Sequence, residues 1–164
     1  MHREPDWHAR RFIASQESAV LLDLPDIRQR DNYDCGNAAV AVVLARYRVK
    51  ATVNLATAER GTGPDEIEQY FRRLGLRVIA GSMEIDDLRH MANTLRPVIC
   101  LCTWPGDVDS HWVIVRGVSR NRVYYHCPQD GPESMTAEAW TAIWQATGRH
   151  GPLKQWAVCG WLPE

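Results

Sequence analysis

In the stretch RQRDNYDCGNAAVAVVLARYRV a thiol, Cys35, opens a long apolar run, and a side-chain amide, Gln29, stands just upstream of it. A free thiol is mostly protonated at neutral pH and becomes a useful nucleophile only where its surroundings favour the thiolate. The start of a helix favours it, through unpaired N–H groups and the helix dipole. Asp34, immediately before, opposes it, so a basic partner is required. His111 fits that role. It opens HWVIV, just after the polar loop PGDVDS, and a strand's first residue can reach past the sheet edge toward a helix terminus. As an imidazolium it would stabilise the thiolate and then return the proton to a leaving amine. Acyl transfer also needs donors for the developing oxyanion; the Cys35 N–H and the Gln29 amide are the candidates.

Taken singly, each residue has a plainer reading. A cysteine before an apolar helix is most often a small core residue. Gln29 alone reads as a surface amide and His111 alone as a loop histidine. Their joint occurrence supplies a nucleophile, a base and an oxyanion donor. The other histidines fit less well: His2 and His8 lie near the start of the chain, His90 on a helix and His150 in a late loop, while His126 adjoins a strand end.

The elements that must position these groups are legible in outline. Asp34 is a candidate N-cap for a helix whose Ala38 to Ala45 section is apolar on nearly every side, as suits a buried helix. GTGPDEIEQYFRRLG has the marks of a second helix: Pro64 in the first turn, Asp65 and Glu66 at the positive end, a stripe of Ile67, Tyr70, Phe71 and Leu74, and Gly75 as the stop. EIDDLRHMANTL is a third. PVICLCTW, HWVIVRGV and VYYHC read as strands, with SRNR as a turn between the last two. Thr136 caps a predicted last helix, AEAWTAIWQAT, and QWAVCGWL closes the chain as a strand. Helices first and strands later predict an α+β fold with a mostly antiparallel sheet packed on helices.

The 164 residues suffice for one core, and 45% apolar with 24% charged residues is ordinary for a globular domain. A net charge of -1 gives no electrostatic case for nucleic acid. No apolar stretch approaches the ~20 residues of a membrane span, and no signal-peptide core is visible, so a cytoplasmic location is the expectation. The five cysteines cannot all pair within one chain and read as reduced. Cys100 and Cys102 alternate onto one strand face, but the Cys-x-x-Cys knuckle of zinc sites is absent. No metal or cofactor is expected.

QRDNYDCGNAAVAVVL resembles the nucleophile motif of the C39 peptidase family, the papain-like domains that remove double-glycine leader peptides. That motif has a glutamine six residues before the cysteine, an acidic residue before it, a glycine after it, and then an Ala-rich apolar helix. Gln29, Asp34, Cys35 and Gly36 match it. HWVIVRG is similar to the family's histidine strand and LRPVIC to the strand before. The likeness runs from Arg28 to Trp140. It implies a papain-like cysteine peptidase fold, with residues 1–26 as an extension packed on the body and 27–164 as a single domain.

The resemblance also implies cleavage after a Gly-Gly motif by Cys35 and His111. The substrate would be a peptide or protein with a flexible Gly-rich segment, and a separate transporter is a possible partner. In the family, an Asp-Pro pair ends the strand after the histidine, and that aspartate orients the imidazole. Here VYYHCPQDGPE puts Cys127 at that place, and Asp130, three residues on, is the candidate third member. A catalytically impaired peptide-binding domain, and a thiol acyl-transferase or amidase on the same fold, are the alternative expectations.

Overall fold

The computed structural model describes residues 20–56, 61–148 and 151–163. Among the described residues, four helices pack on a six-stranded antiparallel sheet, as the α+β reading predicts. The elements run α1 (Cys35–Arg46), α2 (Pro64–Arg73), β1 (Arg77–Ser82), α3 (Ile85–Asn93), β2 (Val98–Cys102), β3 (His111–Val118), β4 (Arg122–Cys127), β5 (Gly131–Thr136), α4 (Ala137–Ile143), β6 (Gln145–Gly148), β7 (Gly151–Lys154) and β8 (Trp156–Trp161). The sheet order is β1-β8-β2-β3-β4-β5, and β6 and β7 form a separate hairpin. The closing strand thus lies inside the sheet, with Ile79 opposite Cys159 on one side and Cys100 opposite Ala157 on the other.

Side-chain alternation along the strands divides the core in two. Ile99, Leu101, Trp112, Ile114 and Val158 face α1 and α2, where they meet Val40, Val43, Ile67 and Phe71. Cys100, Cys102, Val113, Val115 and Tyr125 face the other way, against Leu88 and Met91 of α3 and Trp140 of α4. The all-round apolar character of α1 follows from this position, since nine of its twelve residues are buried. Pro64 sits in the first turn of α2 with Gly63 as N-cap, and the Thr136 hydroxyl accepts the Ala139 N–H at 3.1 Å to cap α4. None of the helices among the described residues is long and apolar enough to cross a membrane.

The structure departs from the expected elements at three places. β1 and β5 form the two edges of the sheet: β1 turns Val78 and Ala80 toward the core but exposes apolar Ile79 between them, so its residue types do not alternate with its burial, and β5 is largely exposed. Pro132 is tolerated in β5 because an edge strand can spare an N–H. The last helix stops at Ile143 instead of continuing through QAT. Trp144 is fully buried, its indole N–H donates to the Trp156 carbonyl at 3.0 Å, and the chain turns there into β6. Of the predicted N-terminal extension, residues 1–19 lie outside the described residues. Leu22 is buried beside β3, its N–H donating to the Arg116 carbonyl at 2.7 Å while Arg116 Nε returns a bond to the Leu22 carbonyl at 3.1 Å.

Burial pushes the Cys100 and Cys102 thiols well above their ordinary range and Cys159 up to about 12. Unfolded thiols lose their protons near ~8.5, while these buried ones hold theirs, so the folded state binds more protons in alkali. Their contribution to stability is complete below that point and is lost as pH rises through the window above it, by about 1.4 kcal/mol per pH unit for each thiol. Urea-unfolding midpoints under reducing conditions should therefore fall between pH 7 and pH 9.5. A flat profile contradicts the burial of neutral thiols.

Candidate active site

Cys35 is the first residue of α1 and is 7% exposed. Its sulfur accepts the backbone N–H of Trp112 at 3.5 Å. Burial pushes the thiol up, partly offset by the N–H groups of Trp112, Gly36 and Cys35 itself, and a charge on Cys127 would push it further up. Burial thus favours the neutral thiol over the thiolate. Gly36 explains how the helix comes so close to the sheet. A Cβ there would lie 2.6 Å from Thr62 Cβ and 3.1 Å from Trp112 Cδ1. The Trp112 indole N–H donates to the Thr62 carbonyl at 2.9 Å, closing this corner, and the Thr62 hydroxyl is buried without a partner among the described residues.

Asp34 stands at the N-cap position but does not cap with its side chain. Its carboxylate turns inward, where Oδ2 accepts the Arg30 N–H at 3.1 Å and Arg30 Nε at 3.2 Å, and Oδ1 accepts Asn37 Nδ2 at 2.8 Å. Asn37 in turn accepts the N–H groups of Leu55 at 2.7 Å and Ala56 at 3.1 Å. Burial alone would raise the Asp34 carboxyl, but these bonds outweigh it and hold the group below the usual carboxylate value. The charge that would oppose a Cys35 thiolate is therefore already met by Arg30. Asp34 ties the loop before α1 to the segment after it, rather than sealing the helix end.

His111 opens β3 opposite Cys102. Since Trp112 N touches the Cys35 sulfur, the Cα of His111 lies one residue, about 3.8 Å along the chain, from the residue that makes that contact. Among the described residues, the hydrogen bond to the sulfur comes from that N–H and not from the imidazole. The imidazole Nε2 is 3.4 Å from Asp107 Oδ2, and the ring meets Trp104 edge-on, with centroids 5.9 Å apart. The intervening loop is built as a scaffold. Thr103 and Ser110 share a hydroxyl hydrogen bond of 2.9 Å at its base, and the Asp107 N–H donates to the Trp104 carbonyl at 3.0 Å.

Gln29 lies on the strap that leads into α1. Its N–H donates to the Pro128 carbonyl at 2.8 Å, beside the end of β4. Its side-chain amide donates to the Asp31 carbonyl at 2.8 Å, which engages one of its two amide hydrogens. The buried His126 holds the same strap through Nε2, 3.1 Å from the Ile27 carbonyl, with Asp26 at 3.8 Å. Cys127 ends β4 with its thiol 3.8 Å from Asp130 Oδ2. The carboxylate in ion-pair range of His111 is thus Asp107, while exposed Asp130 is engaged by Cys127.

The structure brings Cys35 and His111's own strand together and fastens Gln29 beside Cys127. Sequence reasoning missed Asp107, although the Pro-Gly before it signals a turn. It also missed the anchoring role of His126, which no local pattern reveals. No group of three or more His, Cys, Asp or Glu side chains among the described residues converges as a metal cradle.

The solved structures with this architecture include a double glycine motif protease from an AMS/PCAT transporter, in complex with a leader peptide. It has a TM-score of 0.67 at 18% identity, covering 88% of this chain and 98% of the other. The peptidase domain of Streptococcus ComA, a bifunctional ABC transporter, gives a TM-score of 0.68 at 20% identity, covering 85% and 98% respectively. The chain is 28% identical over 131 residues to the Escherichia coli colicin V secretion/processing ATP-binding protein CvaB. That match takes in 72% of this chain but only 17% of CvaB. The sequence model of the peptidase C39 family matches residues 23–148, and the chain belongs to that family.

Proposed function

We propose that the protein is a cysteine peptidase that cleaves a peptide bond after a Gly-Gly type motif. Carrying this reading is one contact: the Cys35 sulfur, at the head of α1, lies against the N–H of the residue that follows His111. In the reaction His111 takes the thiol proton and the sulfur attacks the scissile carbonyl, forming the C–S bond. The oxyanion is met by the Cys35 N–H and the Gln29 amide. The intermediate collapses, the C–N bond breaks, and the amine leaves with the proton from His111. Water then gives a proton to His111 and attacks the thioester, and the departing thiolate recovers that proton.

The double glycine motif protease, solved with a leader peptide, and the CvaB processing protein support the choice of substrate, a peptide with a flexible Gly-rich segment. A leader peptide handed over by a separate transporter is consistent with those relatives. A second reading, a domain that binds such a peptide without cutting it, is favoured by one observation: a thiol, Cys127, stands where the family resemblance puts the orienting carboxylate.

A peptide ending in Gly-Gly-aminomethylcoumarin tests the choice. Cys35→Ala and His111→Ala should each abolish turnover, and the double variant should be little worse than either, because the two act as a unit. Wild-type protein that binds the peptide and releases no coumarin supports the second reading. Gln29→Ala should lower kcat by about 10²–10³ with KM little changed; full kcat removes Gln29 from the mechanism.

Thiol reactivity gives a separate check. Burial holds the Cys35 thiol up. Without its base, the thiolate should appear only above the ordinary thiol range, so iodoacetamide should label Cys35 in His111→Ala at pH 7 at least ~10-fold more slowly than in the wild type. Equal rates contradict the pairing.

A further inference from the structure

We infer that Asp107, from the turn ahead of β3, orients the His111 imidazole in place of the carboxylate that the family resemblance assigns to the position of Cys127. The inference rests on the reading of His111 as the base. A catalytic imidazole needs a partner on its second nitrogen to fix both tautomer and ring direction. Asp107 Oδ2 stands 3.4 Å from Nε2. With Nε2–H donating to that carboxylate, the neutral ring presents Nδ1 as the acceptor for the Cys35 proton.

Asp107 is held there by the backbone. Trp104-Pro105-Gly106-Asp107 is a β-turn closed by the Asp107 N–H on the Trp104 carbonyl at 3.0 Å, with Gly106 at φ +85°. Proline second and a positive-φ glycine third are the residues a type II turn demands. The Thr103–Ser110 hydroxyl bond of 2.9 Å and the bond from Thr103 Oγ1 to the Gln145 carbonyl at 2.7 Å pin both feet of the loop. Trp104, which begins the turn, packs edge-on against the imidazole, so one short loop supplies both the carboxylate and a wall.

The competing groups are otherwise engaged or chemically poor. Asp130 Oδ2 accepts from the Cys127 thiol at 3.8 Å, and a thiol at position 127 is a weak donor and a weak acceptor. Asp107 is also a more exposed partner than an aspartate inside a strand end, its side chain being 48% accessible. The orientation it provides is accordingly softer than that of a buried triad carboxylate, whose loss of the correct tautomer costs ~10⁴ in kcat.

The test uses the Gly-Gly-aminomethylcoumarin peptide and imidazole ¹⁵N NMR. Asp107→Ala should lower kcat by roughly 10–10³-fold, with KM within about twofold and an unchanged Tm. Asp107→Glu should recover part of the loss. Cys127→Asp in the Asp107→Ala background should restore at least ~10-fold, because it returns a carboxylate to the family position. Asp130→Asn should cost less than Asp107→Ala.

The NMR measurement is independent of turnover. Neutral His111 should carry its proton on Nε2 in the wild type and become a tautomer mixture in Asp107→Ala. Wild-type kcat in Asp107→Ala, a loss that Cys127→Asp does not relieve, or an unchanged tautomer in Asp107→Ala overturns the assignment. Should the wild type fail to cut the peptide at all, the peptidase reading fails, and the tautomer comparison still decides the role of Asp107.

Discussion

Everything at the site depends on how closely the head of α1 approaches the start of β3. The contact is small: a sulfur 3.5 Å from the Trp112 N–H, and a glycine where any side chain would strike Thr62 and Trp112. It fixes the Cys35 sulfur against the strand that carries His111. A helix buried on nearly every side and central strands dry on both faces make the approach rigid, because neither can shift without opening a cavity in one of the two core layers. Rigidity comes with a chemical cost, since burial disfavours the thiolate. Geometry therefore brings the sulfur into place without favouring its charged form, and in the proposed mechanism His111 supplies the reactivity.

Two segments outside the regular elements complete the site, and each is fastened by its backbone. The strap before α1 is clipped to β4 by the His126–Ile27 and Gln29–Pro128 bonds, which hold Gln29 at the end of the strand where Cys127 sits. The loop before β3 is folded by a proline-glycine turn and two hydroxyl bonds, which bring Asp107 to His111. Loops pinned at both ends position side chains with less entropy to lose than free ones. Exposed Arg30 and buried Asn37 do the same for the turn into Cys35 by holding the buried Asp34 carboxylate between them, and the guanidinium offsets its charge.

Legibility in the sequence followed burial. The apolar run after Cys35, the alternation of HWVIV and the capping residues Pro64 and Thr136 record strong local constraints, and they led to α1, β3, α2 and α4. β1 and β5 were not legible: in β1 the outward-facing Ile79 is as apolar as the inward-facing Val78, which hides the alternation, and β5 is largely exposed. The early stop of α4 depends on Trp144 reaching Trp156, a contact between distant segments. At the site, Cys35, His111 and Gln29 could be named from residue type and spacing, but the direction of each side chain could not. Asp34 looked like a cap and turned inward to Arg30 and Asn37. Asp130 looked free to reach an imidazole and met Cys127, while Asp107 lay in a loop read only as polar.

Binding of a peptide aldehyde ending in Gly-Gly offers the most direct measurement of the central claim, that Cys35 is a nucleophile served by His111 and by two oxyanion donors. Its crystal structure with the protein should show a hemithioacetal on the Cys35 sulfur, its oxygen within hydrogen-bond distance of the Cys35 N–H and the Gln29 amide, and the His111 imidazole turned onto the reacting centre. An unmodified Cys35, or an adduct whose oxygen faces away from both donors, would contradict it.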